Sequence, residues 1–166
     1  MGMAHRIYKN TLYLGTAEIV SRVLQFIVML YAARLLSQQN FGKFSFALSL
    51  SFIAVVLADL GINSLLVREI SRNKSLVSKY FINALSTKVV LSIITYFIIV
   101  VILNALNYPQ ATKNIVYIIW FFTILSTFTE LFYSIFRAFE MMFFDALIKI
   151  LRMLILALAS IYVLLK

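Results

Sequence analysis

Seven ionisable side chains lie inside long apolar stretches of this chain: Glu18, Arg22, Asp59, Lys88, Glu130, Lys149 and Arg152. A charge at membrane depth is costly, so it is usually paired or lines a polar path. The residue types suit anion chemistry. Arg22, Lys88, Lys149 and Arg152, with Arg68 and Arg137 at the ends of stretches, are bases that can attract an anionic group. The planar donor fork of Arg fits phosphate well. Glu18, Asp59 and Glu130 can tune those bases or couple movement to an ion. A plainer role fits some of the same residues. Charges near an interface snorkel, or pair merely to hold helices together. Glu18 and Arg22 stand four apart and can form a structural pair. Lys149 and Arg152 also read as ordinary flanking bases. Asp59 and Glu130 resist that reading, because short acidic chains reach the interface poorly.

Helices must position these groups, and the spacing supports helices. Gly15, Glu18, Ser21, Arg22 and Gln25 recur at i, i+3 and i+4 and form one polar stripe. Ser45, Ser49, Asp59 and Asn63 share a face, as do Lys88, Ser92 and Thr95. Thr123, Ser126, Thr127, Glu130, Ser134 and Arg137 make a nearly continuous polar strip. Asp145, Lys149 and Arg152 line up as well, with Asp145 spaced to pair with Lys149. The Ser and Thr residues need no function of their own, since such residues commonly pack helix against helix in membranes.

Composition places the chain in a bilayer. It is 63% hydrophobic and 13% charged, with a mean hydropathy of +0.99. Soluble domains hold about 45–50% apolar and about 25% charged residues. The only proline is Pro109 and there are four glycines, so helices run long. A β-barrel would show short alternating strands and many turns. No cysteine is present, which excludes disulfides, thiolate zinc sites and thiol nucleophiles. The single His5 provides no His-rich metal site. There is no Gly-x-Ser-x-Gly string and no Gly-rich phosphate loop, and no carboxylate pair stands at a catalytic spacing. The chain is not expected to be an enzyme or to hold a cofactor. The net charge of +9 is explained by bases at helix ends rather than by nucleic-acid binding. The first apolar stretch follows Arg6 and Lys9, but it runs far past the ~7–15 apolar residues of a signal peptide and carries Glu18 and Arg22, so it reads as a retained helix.

A span needs about 20 mostly apolar residues. The expected fold is an all-α, polytopic membrane bundle forming a single domain over residues 1–166, with five transmembrane helices at about 11–36, 44–66, 80–106, 114–136 and 146–165. Breaks fall at the polar Ser37–Asn40, the charged Arg68–Ser75, the proline-bearing Asn107–Gln110, and Arg137–Asp145, whose apolar middle suits an interfacial loop. Arg6, Lys9, Arg68, Arg72, Lys74, Lys79, Arg137, Lys149 and Arg152 then share one side, against Arg34, Lys43, Lys113 and Lys166 on the other. The positive-inside bias makes the amino terminus cytoplasmic. At about 1.5 Å per residue, Glu18 lies ~10 Å, Arg22 ~16 Å, Asp59 ~10 Å, Lys88 ~12 Å and Glu130 ~9 Å from that side, with Lys149 and Arg152 within ~10 Å. All seven charges therefore fall in the cytoplasmic half. Four bases against three acids leave one positive charge in excess.

Several short strings in order now carry a resemblance. Ala33-Arg34-Leu35-Leu36 precedes Phe41-Gly42-Lys43-Phe44-Ser45-Phe46-Ala47. Asp59-Leu60-Gly61-Ile62 precedes Val67-Arg68-Glu69-Ile70-Ser71-Arg72, and Phe136-Arg137-Ala138-Phe139-Glu140-Met141 follows. Over essentially its whole length the chain resembles the amino-terminal part of the polysaccharide and O-antigen flippases, within the multidrug/oligosaccharidyl-lipid/polysaccharide exporter superfamily. One departure is Leu36-Ser37, where the family often has Gly after the Arg-Leu pair. The resemblance implies two facing six-helix lobes, commonly of twelve to fourteen spans in all, so five spans amount to most of one lobe. The chain is then expected to be a fragment or a split subunit that acts with a second lobe.

The leading expectation is a multi-pass protein of the cytoplasmic membrane that flips or exports lipid-linked oligosaccharide or polysaccharide precursors. Its partners would be membrane lipid, that substrate and the second lobe, with no nucleic acid. A drug or cation antiporter of the same superfamily is the first alternative, although it would favour an acidic cavity. A non-transporting helical partner of another membrane protein is the second.

Overall fold

The computed structural model describes residues 3–165, with side chains for Tyr8 and residues 11–162. The side chains of His5, Arg6 and Lys9, and all of Lys166, lie outside the described residues. Among those described, the elements are helical throughout. They run α1 (Met3–Leu35), α2 (Gln38–Asp59), α3 (Ile62–Arg72), a 3-10 turn (Lys74–Leu76), α4 (Val77–Ala105), α5 (Gln110–Ala138) and α6 (Met142–Leu165). Four helical stretches are long and apolar enough to cross a membrane: Thr11–Leu35, Gln38–Arg72, Lys74–Ala105 and Gln110–Ala138. The fifth expected span corresponds to α6.

The helix ends follow local chemistry. Leu36 donates its N–H to the Ala32 carbonyl and closes α1. Asn107, at φ 52, ends the turn after α4, and Pro109 stands at the N-cap of α5, where its missing N–H costs nothing. Glu140, at φ 60, separates α5 from α6. Met142–Phe144, expected in an interfacial loop, form the first turn of α6 instead. The main departure from the expected spans is inside 44–66. The helix stops at Asp59, and Leu60 (φ 42) and Gly61 (φ 81) are both left-handed before α3 begins. Glycine tolerates that region and leucine does not favour it. Much of the charged segment expected as a loop is therefore helix α3.

The chain divides into two compact units. In one, α1 packs along α6. Tyr13 and Phe143 meet edge to face at 5.4 Å. Ala17, Ala32, Ala146 and Ala157 are buried, and small residues let membrane helices approach closely.

The other unit is Gly42–Phe139. Its α2 buries Ala47, Ser51, Ala54 and Ala58 at helical spacing. Ala47 and Ala54 pack with Ile99, Leu103 and Val116, flanked by Phe46 stacked on Tyr108 at 4.8 Å. A second core joins Leu66 and Ile70 of α3 to Ala84, Leu131 and Ala138 of α4 and α5. Helix α4 buries Ala84, Lys88, Ser92, Thr95, Ile99 and Leu103, so Lys88, Ser92 and Thr95 face protein. Ile94, Phe97, Val101, Ile118, Phe121 and Leu125 are exposed, as lipid-facing residues should be.

Candidate functional site

Lys88 is the centre of the Gly42–Phe139 unit. Its side chain is fully buried, with 0% exposure. The ammonium meets Asp59 Oδ1 at 2.9 Å. It donates to Asn63 Oδ1 at 3.2 Å and to the Thr127 backbone carbonyl at 2.7 Å. Asn63 Nδ2 in turn donates to Asp59 Oδ1 at 2.7 Å. An ammonium has three protons, and here each has an acceptor. Four helices contribute: α2 ends at Asp59, α3 holds Asn63 in its first turn, α4 carries Lys88 and α5 offers Thr127. A buried charge left with one acceptor would be strongly destabilising; this arrangement meets that demand. Below it on α4, Ser92 donates to the Lys88 carbonyl at 2.7 Å, and Thr95 donates to the Ser92 carbonyl at 2.9 Å.

The remaining candidates of this unit pair within single helices. Arg137 approaches Glu130 at 3.6 Å, with the two side chains 29% and 30% exposed. Arg68 contacts its neighbour Glu69 at 2.9 Å, and the Arg68 side chain is 68% exposed. Lys74 sits 5.2 Å from the centroid of the Phe139 ring, a cation–π contact. Arg68 and Arg72 stand on the outer face of α3 while Leu66 and Ile70 hold its inner face.

The α1–α6 unit contains a second cluster. Glu18 is its hub. Arg22 Nε donates to Glu18 Oε1 at 2.8 Å, and Lys149 Nζ donates to Glu18 Oε2 at 2.5 Å. Spacing on α6 alone points Lys149 at Asp145; in the fold its ammonium reaches α1. Asp145 is fully buried, and Arg152, one turn beyond Lys149, is half-buried. Arg22 is 74% exposed and Lys149 20%. One carboxylate thus holds two bases, and the trio keeps a net positive charge.

The structure therefore sorts the candidate bases by availability. Lys88 is enclosed and saturated, whereas Arg22 and Arg68 present most of their surface. Asn63 and the Thr127 carbonyl complete the Lys88 site, though neither is ionisable. Asn63 was legible only through its four-residue spacing from Asp59. A backbone carbonyl on α5 has no sequence signal. Among the described residues there is no cluster of His, Cys, Asp and Glu able to hold a metal.

Comparison with known proteins agrees with the architecture. No individual curated protein and no solved structure matches the chain. The sequence profile described as polysaccharide biosynthesis protein matches residues 7–166. Members of that family are generally transporters rather than enzymes. A helical membrane chain matched over nearly its whole length belongs to the polysaccharide biosynthesis protein family, the family of O-antigen and polysaccharide flippases, with a role in polysaccharide biosynthesis or export.

Proposed function

We propose that this protein works in moving lipid-linked oligosaccharide or polysaccharide precursors across the cytoplasmic membrane, with its amino terminus in the cytoplasm. The family match over residues 7–166 carries the reading, and the disposition of charge supports it. The substrate joins an anionic phosphate or pyrophosphate to a polyprenyl chain. In the α1–α6 unit, Arg22 and Lys149 share the single carboxylate of Glu18. A phosphate oxygen can replace one carboxylate oxygen as acceptor for either base, so Glu18 acts as an internal competitor that keeps the bases placed while the site is empty. Arg152 adds further positive charge on the same helix as Lys149. In the Gly42–Phe139 unit, Arg68 and Arg137 are the bases with access to headgroups, and Lys88 serves as an internal tie. Asp59 and Glu130 balance their own partners. A second lobe completes alternating access in this reading. The cationic excess argues against a cation substrate, which would call for an acidic cavity.

The test is substrate export in the host membrane with the Arg22→Gln/Lys149→Gln variant. Loss of phosphate contacts is expected to lower surface polysaccharide at unchanged protein abundance. Glu18→Gln should instead preserve or increase headgroup binding, because it removes the competing carboxylate. Wild-type export by the double variant would remove the proposed role of these bases.

A further inference from the structure

We propose that Lys88 is the pin of a hinged helix: its ammonium holds α3 bent away from α2 at Leu60–Gly61, and releasing it lets α3 swing and carry Arg68 and Arg72 with it. This does not depend on what the chain transports.

The bend has no proline to impose it. It rests on two successive left-handed residues, Leu60 and Gly61. A left-handed leucine is unfavourable, so the backbone gains by leaving this conformation. No side chain packed at Leu60–Gly61 itself wedges the bend in place. Leu60 is 66% exposed, and a Cβ built on Gly61 would meet nothing within 4 Å. Gly61, at the start of α3, also lacks a side-chain cap. The stretch Gln38–Arg72 is helical on both sides of the break and holds an apolar window long enough to cross a membrane, so a straighter α2–α3 is a physically reasonable second state.

Two things oppose straightening. One is the contact of Leu66 and Ile70 with Ala84, Leu131 and Ala138. Apolar contacts in a bilayer are non-directional and compete with equally apolar lipid tails. The other is the Lys88 site, which is directional. Asp59 and Asn63 are four apart and would stay neighbours in an unbroken helix. Their mutual hydrogen bond therefore cannot define the bend. The Lys88 bonds to both, together with its bond to the Thr127 carbonyl, tie the two sides of the break to α4 and α5. Releasing α3 moves the basic outer face formed by Arg68 and Arg72, a larger change than any single side-chain motion would give.

The chain has no cysteine, so paired labels are straightforward. Spin labels at Ser71→Cys on α3 and Ser86→Cys on α4 are measured by pulsed electron resonance, in the full chain in lipid nanodiscs. A control pair, Ser86→Cys and Leu125→Cys, reports α4 against α5. The background variant is Asp59→Asn/Lys88→Met, which removes both charges and leaves neither unpaired; it keeps the test open should Lys88→Met alone fail to fold. The α3–α4 pair is expected to gain a second distance whose population rises at least about tenfold over wild type, while the control pair stays narrow. An unchanged α3–α4 distance, or equal broadening of both pairs, overturns the proposal.

Discussion

At the residue scale, the two ion clusters differ in what they can tolerate. Asp59 and Lys88 are tied in the interior, with Lys88 at 0% exposure. Removing Lys88 leaves the partly buried Asp59 carboxylate, 25% exposed, without its counter-charge. Lys88→Met should lower stability by about 3 kcal/mol, whereas Asp59→Asn/Lys88→Met should return to within about 1 kcal/mol of wild type, because deleting both members of a buried pair is far less costly than deleting one. Arg22→Gln at the exposed Glu18 pair should cost no more than about 0.5 kcal/mol. Heating in detergent with a fluorescence-detected folded fraction ranks the three. Near-equal losses for Lys88→Met and Arg22→Gln would contradict the burial argument. The charged residues themselves were legible from the sequence, since an ionisable group in an apolar run is conspicuous. Their partners were less so. The i, i+4 spacing anticipated Glu18 with Arg22, while Glu18 with Lys149 joins residues far apart in the chain and depends on α1 lying along α6.

At the element scale, small residues set much of the packing, and left-handed residues stand at the breaks after α2, α4 and α5. Ala54 of α2 is 4% exposed and meets the Ile99, Leu103 and Val116 core. Ala54→Leu should cost about 2 kcal/mol by overpacking. Gly61→Ala meets no steric neighbour, so it should cost only the left-handed conformation, about 1 kcal/mol. Thermal unfolding of both variants checks the order; a larger loss for Gly61→Ala would mean that the bend is packed more tightly than its open surroundings imply. Long apolar runs without proline made α4, α5 and the carboxy-terminal end of α1 readable within a few residues, whereas α1 begins at Met3, eight residues before the expected span. The α2–α3 break was not readable. Leu60-Gly61 sits inside the expected span 44–66, and one glycine does not by itself distinguish an interrupted helix from an intact one. The charged stretch after it looked like a loop because Arg68, Glu69 and Arg72 are polar; Leu66 and Ile70 on the opposite face of α3 are what make it a packed helix.

At the scale of the whole molecule, membrane insertion follows from composition, and the proposed direction rests on the distribution of Lys and Arg. Single cysteines give a direct readout of direction in a cysteine-free chain. Ser71→Cys should resist a membrane-impermeant thiol reagent in intact cells and react after permeabilisation, while Asn107→Cys should react from outside. The reverse pattern would invert the orientation and place Arg68 and Arg72 on the far side. Family membership ties the chain to polysaccharide biosynthesis or export, and a lipid-linked precursor is the substrate we propose for it. The decisive measurement is the sidedness of that precursor in host membranes with and without this protein, read by a sugar-specific probe that cannot cross the bilayer. Loss of the protein is expected to trap lipid-linked precursor on the cytoplasmic face and reduce surface polysaccharide, with recovery on complementation. Unchanged precursor sidedness together with normal surface polysaccharide would contradict the transport account.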